Sequence, residues 1–196
     1  MIVRHRDRWL LIVDKPAGLP TQPARGGSDS LIGQLEATEG YVALHHRLDA
    51  AASGLVLVST HPDANKALTE AFRSHAIQRT YAAVAEGHVT TTTWTGPVDG
   101  KKARTVAQSV GHGEGCTALA LHLHTGRKHQ LRVHAAMAGH PLWGDRRYGG
   151  DAARRWPRLA LHASRLELEH PVTGDRLSVA SPLPDDLAPL WALAGG

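Results

Sequence analysis

From residue 76 to residue 124 the chain passes through one β-prone segment after another, with no helical pattern between them. Ile77 to Glu86 reads as a strand that stops at Gly87. Arg104 to Val110 and Thr117 to His124 read as two more strands, joined through the glycine-rich turn Gly111 to Gly115. Thr90 to Thr93 is polar and reads as a loop or a sheet edge. A doubly wound α/β fold needs strand and helix to alternate, and here they do not. The run points instead to an α+β chain with a mixed, largely antiparallel sheet.

The flanks supply the helices. Trp9 to Val13 is a short apolar strand running into the turn Lys15-Pro16-Ala17-Gly18. Ser28 to Glu39 predicts a helix capped by Ser28 or Asp29 and ended by Gly40. Gly54 to Thr60 is a strand, and Pro62 suits the first turn of the helix that follows. In that helix Ala64, Ala67, Leu68, Ala71, Phe72 and His75 share one face. Arg127 to Ala138 predicts a helix with Gly139 as its left-handed terminator. Leu159 to Glu169 and Arg176 to Ala180 predict a closing hairpin, and Asp185 to Leu193 a last helix.

A length of 196 residues suits one domain, residues 1–196, and a hydrophobic content of 42% excludes wholesale disorder. The single Cys116 excludes an intrachain disulfide framework and a cysteine-based zinc site, and fits a reducing compartment such as the cytoplasm. Twenty-two Lys and Arg against 18 Asp and Glu leave a net charge of +4 before any of the 14 His titrates. That balance favours a polyanionic partner, nucleic acid or an anionic surface. No run of 18 apolar residues is present, so no membrane helix is expected, and the basic start MIVRHRDRW is not a signal peptide. Neither GxGxxG nor a P-loop occurs, so nothing points to a nucleotide cofactor, and no obligate protein partner is evident.

Four segments carry the candidate chemistry: HHRLDAAASGLVLVS (45–59), RTYAAVAEG (79–87), LHTGRKHQLRVHAAMAGHPLWGDRRYG (123–149) and LALHASRLELEHPVTG (159–174). With LLIVDKPAGLPTQP upstream, their order resembles the RluA-type family of RNA pseudouridine synthases, from about Trp9 to about Pro182. HRLD followed by SG and an apolar strand is specific, and TGRxHQLRVH followed by GHPxxGDxxYG is more so. The resemblance implies the pseudouridine synthase fold, a catalytic cleft flanked by helices, and a uridine-to-pseudouridine isomerisation in ribosomal or transfer RNA without cofactor or metal.

The resemblance also implies roles. Asp49 matches the catalytic aspartate of the family, facing the ribose or the base. A lone buried carboxylate tends to protonate, so a cation must keep it charged. Arg132 matches the arginine that pairs with it, a bidentate task that suits guanidinium. Tyr81 matches the tyrosine that stacks on uracil. The target atom is out of reach inside a stack, so the nucleotide must be extruded. Arg47 matches the arginine that holds the extruded state, or else binds a phosphate. His129 orients its loop or contacts RNA, and Arg127, Lys128 and Gln130 beside it complete the substrate-binding candidates. Lys15 reads as structural.

Blander readings accompany these. His124, His129 and His134 recur every five residues, a spacing that does not hold one helical face, which argues against a metal hydrolase. Trp94 and Trp156 sit in polar surroundings and are the tryptophans best suited to touch a base. Basic clusters at Arg4-Arg6-Arg8, Lys101-Lys102-Arg104, Arg127-Lys128 and Arg146 to Arg158 are solvated faces or, with an RNA substrate, phosphate contacts. Three departures from the family matter. Ala50-Ala51-Ala52 stand where a charged residue and a hydroxyl are usual, which predicts a looser Asp49 loop. The stretch 87–103 is short, and only eight residues precede Trp9, so recognition falls to the catalytic domain itself. The alternative function is a non-catalytic RNA-binding protein or RNA chaperone derived from a synthase.

Overall fold

The computed structural model describes residues 1–23 and 29–196. Contacts divide the chain into two compact units, residues 1–78 with 165–181 and residues 79–164 with 182–196. The architecture is α+β, with antiparallel strand pairs and few helices.

The first unit begins with β1 (Ile2–Arg6), antiparallel to β2 (Leu10–Lys15). The sequence reading gave no strand at β1, because an exposed edge strand carrying Arg4 and Arg6 looks like a basic tail. β2 pairs with β4 (Ser53–Ser59), which is buried along its whole length, as its unbroken apolar run requires. A two-residue strand, β3 (Ala43–Leu44), also pairs with β4. Helix α1 (Leu31–Glu39) is capped by Ser30, whose hydroxyl accepts from the Gly33 N–H at 3.1 Å. The expected cap Ser28 lies outside the described residues. Pro62 opens a short 3-10 turn that leads into α2 (Asn65–Arg73). Leu68 of α2 packs with Leu10, Ile12, Leu55, Leu57, Leu166 and Val179 into one core. Strand β10 (Arg176–Ala180) lies on the Arg165–Glu169 end of β9 (Leu161–Glu169).

The second unit holds the rest of β9 and the antiparallel run β5 (Gln78–Glu86), β8 (Cys116–Leu123), β7 (Arg104–Gly113) and β6 (Thr92–Thr95). β7 runs through Gly111 and Gly113, which the sequence reading assigned to a turn. A Cβ at either glycine would collide with the backbone carbonyl of Gly195 or Leu193, so these glycines let the C-terminal tail lie against the strand. Helix α3 spans Gln130–Met137, three residues shorter at its start than expected, with Gly139 at φ +79° beyond it. Helix α4 (Ala188–Leu193) brings Leu190 into a core with Val84, Cys116, Ala118 and Trp143.

Candidate active site

In the first unit the Asp49 loop runs from β3 to β4. It is held through its backbone at several points. Thr21 Oγ1 donates to the Leu48 carbonyl at 2.6 Å and accepts from the Leu48 N–H at 3.2 Å. The Gly18 N–H donates to the Ala50 carbonyl at 2.7 Å, and the Ala52 N–H closes a turn onto the Asp49 carbonyl at 3.0 Å. Lys15 is 1% exposed. Its ammonium donates to the carbonyls of Ala52 (2.7 Å), Pro16 (2.8 Å), Leu19 (2.8 Å) and Ala50 (3.2 Å). A buried charge costs several kcal/mol unless such partners replace its water. The reading of Lys15 as structural fits this geometry. The same bonds answer the expectation of a looser loop: they need carbonyls at positions 50 and 52, not hydroxyls, and Ala52 is fully buried. Arg47 is exposed and Asp49 half-buried. Below them the His46 ring stacks on Phe72 at 4.7 Å, while its Nε2 accepts the Leu57 N–H at 2.9 Å.

In the second unit Tyr81 lies on β5 opposite Leu121, 5% exposed. Arg132 projects from α3, and its Nε and Nη2 donate to the two carboxylate oxygens of Asp145 at 2.8 and 2.7 Å. Asp145 was not singled out from the sequence, although the GDxxYG block contains it. Its Oδ1 also accepts the backbone N–H groups of Arg147 and Tyr148 at 3.0 and 3.1 Å. Burial pushes the Asp145 carboxyl up, but the Arg132 hydrogen bonds and charge and those two N–H groups outweigh it and hold it below the ordinary carboxylate value. The Tyr148 ring stacks under Arg132, 5.2 Å from the guanidinium carbon, and its hydroxyl pairs with His129 Nδ1 at 2.9 Å.

His129 sits at φ +55°, a left-handed turn residue before α3. Gln130 is buried, with its amide saturated inside the unit. Oε1 accepts from Thr125 Oγ1 (2.7 Å) and the Arg127 N–H (3.1 Å), and Nε2 donates to the Arg104 carbonyl and Thr105 Oγ1, both at 3.0 Å. The Thr105 hydroxyl in turn donates to His134 Nδ1 (2.9 Å), and His134 Nε2 donates to the Gly96 carbonyl (3.1 Å). Arg127 and Lys128 are exposed on the turn so fixed. Among the described residues no group of three or more His, Cys, Asp or Glu could hold a metal ion. Trp94 is 8% exposed and packs as core, against the expectation of a base contact. Trp156 is half-buried, its indole N–H on the Asp186 carbonyl at 3.3 Å.

Comparison with known proteins agrees with the residues. Residues 9–137 match the model of the RNA pseudouridylate synthase family. The chain is 33% identical to the ribosomal large subunit pseudouridine synthase D of Pseudomonas aeruginosa, over 97% of this chain and 70% of that protein. It is 32% identical to an RNA pseudouridine synthase of Bacillus subtilis, over 94% of this chain and 69% of that protein. Among solved structures it superposes on human RNA pseudouridylate synthase domain containing 1 with a TM-score of 0.79 at 25% identity, covering 96% of this chain and 85% of that one. The motifs, the α+β fold and these relatives lead to one conclusion: the chain belongs to the RluA-type family of RNA pseudouridine synthases.

Proposed function

We propose that the protein isomerises a uridine in structured RNA to pseudouridine through an aspartate-dependent reaction that uses no cofactor, with residues 1–196 acting as one catalytic domain. The N1–C1′ glycosidic bond breaks, the uracil turns, and C5 joins C1′ while the proton on C5 leaves and N1 gains one. Asp49 is the carboxylate that acts on the ribose, Arg132 the cation that keeps it ionised, and Tyr81 the aromatic face that holds the detached base. Departure of the base gives C1′ oxocarbenium character, as in glycoside hydrolysis, so water must be kept from the sugar.

The observation that carries this reading is the Asp145 fork on Arg132. It uses Nε and Nη2 and fixes the plane of the guanidinium that the reading makes the cation of the site. Arg47, Arg127, Lys128 and His129 serve the RNA, and Gln130 serves it indirectly by fixing the turn that displays them. Relatives named ribosomal large subunit pseudouridine synthase D support ribosomal RNA as the substrate; transfer RNA is the second candidate, and the proposed setting is the cytoplasm. No helix among the described residues is long and apolar enough to cross a membrane.

The test is tritium release from RNA labelled at uridine C5, with pseudouridine mapping to name the site. Wild-type protein releases tritium; Asp49→Asn releases none while still binding RNA. Release by Asp49→Asn at the wild-type rate overturns the assignment. Binding without release by wild type marks the RNA-binding alternative.

A further inference from the structure

The basic charge is not spread evenly over the second unit. Residues 144–158, from the GDxxYG block toward β9, form a compact excursion carrying Arg146, Arg147, Arg154, Arg155 and Arg158. The excursion is built rather than loose. A Cβ at Gly144 (φ +71°) would collide with the Arg158 carbonyl, and one at Gly149 with the Asp145 carbonyl, so glycine lets the two limbs close up. The Gly144 N–H donates to the Ala152 carbonyl at 2.9 Å, and the Gly149 N–H to the Asp145 carbonyl at 2.8 Å. Ala152 is 3% exposed and packs in the unit's core. The far limb is clamped by Asp186, which takes a fork from Arg158 Nε and Nη2 at 2.6 and 2.7 Å.

Two of the five arginines are spent on this frame: Arg158 pairs with Asp186, and Arg155 reaches Glu86 at 3.5 Å. The other three are exposed, and among the described residues none has a carboxylate partner. Arg147 lies over Tyr148, 5.4 Å from the ring centre, and Arg146 reaches only the Pro157 carbonyl at 3.5 Å. Elsewhere several exposed or half-buried guanidinia are neutralised: Arg4 by Asp14, Arg6 by Glu39, Arg73 by Glu70. A scaffold that spends buried bonds to display unneutralised guanidinia has little left to order when an anion arrives, so binding there costs little entropy.

From this we infer that the excursion is a phosphate-docking surface for the RNA backbone, with Arg146, Arg147 and Arg154 each taking a phosphodiester. It rests on the reading of the substrate as RNA. Phosphate contacts of this kind set register and affinity without reading sequence. Each should appear in the salt dependence of binding, at about 0.7 units of log Kd per log salt for single-stranded RNA.

The experiment measures Kd for a fluorescein-labelled RNA stem-loop with a uridine-rich loop across a salt series. The variant is Arg146→Gln/Arg147→Gln/Arg154→Gln. The control removes three charges from exposed positions of the first unit outside the basic clusters, Lys66→Gln/Arg165→Gln/Arg176→Gln. The inference expects the slope to fall by about 2 units in the loop variant and to stay at the wild-type value in the control. Equal falls in both, or no fall in either, overturn it. Circular dichroism reports folding; should the triple variant unfold, the three single changes replace it, each expected to lower the slope by about 0.7 units. Binding is read apart from tritium release, so failure of the isomerase assignment does not mimic failure of the docking surface.

Discussion

The two units hold their candidate site residues by opposite means. In the first, the Asp49 loop is fixed by main-chain carbonyls gathered around one buried ammonium, and the side chains at 50, 51 and 52 are plain methyl groups. In the second, Arg132 is fixed by side chains: the Asp145 fork, the Tyr148 ring, and the nearby chain through Gln130, Thr105 and His134 that anchors α3. Charge divides the same way. The first unit carries ten Lys and Arg against eleven Asp and Glu, the second twelve against seven. A site held by backbone tolerates sequence change; a site held by side chains does not. The unit that carries the net positive charge is also the one with the arginine excursion.

The largest expected effect tests the side-chain-held unit. Asp145→Ala leaves a 7%-exposed guanidinium without its fork, a loss of about 3–5 kcal/mol. Turnover should fall with it, and Arg132→Ala, which strands the equally buried Asp145 carboxylate, should cost a comparable amount of stability. Equal denaturation midpoints for Asp145→Ala and wild type would break the contrast. Acid probes the same pair. The Asp145 carboxyl titrates below its ordinary value of 3.8, so its stabilisation is complete above that pH and drains away as pH falls through the folded value. The stability gap between wild type and Asp145→Asn should therefore narrow below pH 3.8 and hold steady above it.

How much of this was legible in the sequence follows the same division. The strands, the α+β class and the motif residues were readable because apolar runs and glycine stops carry local signals. Asp145 was passed over because nothing local says that an aspartate thirteen residues after an arginine turns back onto it. The extent of β7 differs from the sequence expectation because Gly111 and Gly113 answer to a tail 80 or more residues downstream, a contact that no window on the sequence contains. The Ala50–Ala52 departure looked like a weakness because side chains are what a motif records, and carbonyls are not.

A smaller effect is expected at the centre of the backbone-held unit. Lys15→Met keeps the volume but takes the ammonium from the carbonyls of Pro16, Leu19 and Ala52, while Ala50 keeps the Gly18 N–H. Removing the charge also removes its desolvation cost, so the net loss should be about 2 kcal/mol, below that of Asp145→Ala. Tritium release should fall further than stability does, since these carbonyls frame Asp49. A Lys15→Met protein that melts normally and turns over at the wild-type rate would show that Thr21 and Gly18 suffice to set the loop.

The smallest effects pair one hydroxyl in each unit. Ala51→Ser adds a hydroxyl to an exposed loop position whose side chain holds nothing, and the change in stability should stay within about 0.5 kcal/mol. Tyr148→Phe removes the hydroxyl that pairs with His129 Nδ1 at 2.9 Å, a partly buried bond worth about 1 kcal/mol. Phenylalanine keeps the ring beneath Arg132, so the loss reports the hydrogen bond and not the stacking. Because His129 is held in a left-handed conformation that a non-glycine residue adopts at a cost, freeing its ring should also loosen the turn that displays Arg127 and Lys128. Hydrogen exchange at the start of α3 should rise in Tyr148→Phe and stay unchanged in Ala51→Ser. If the two substitutions proved equally silent in both measurements, the distinction between a loop held by its main chain and a helix start held by its side chains would not survive.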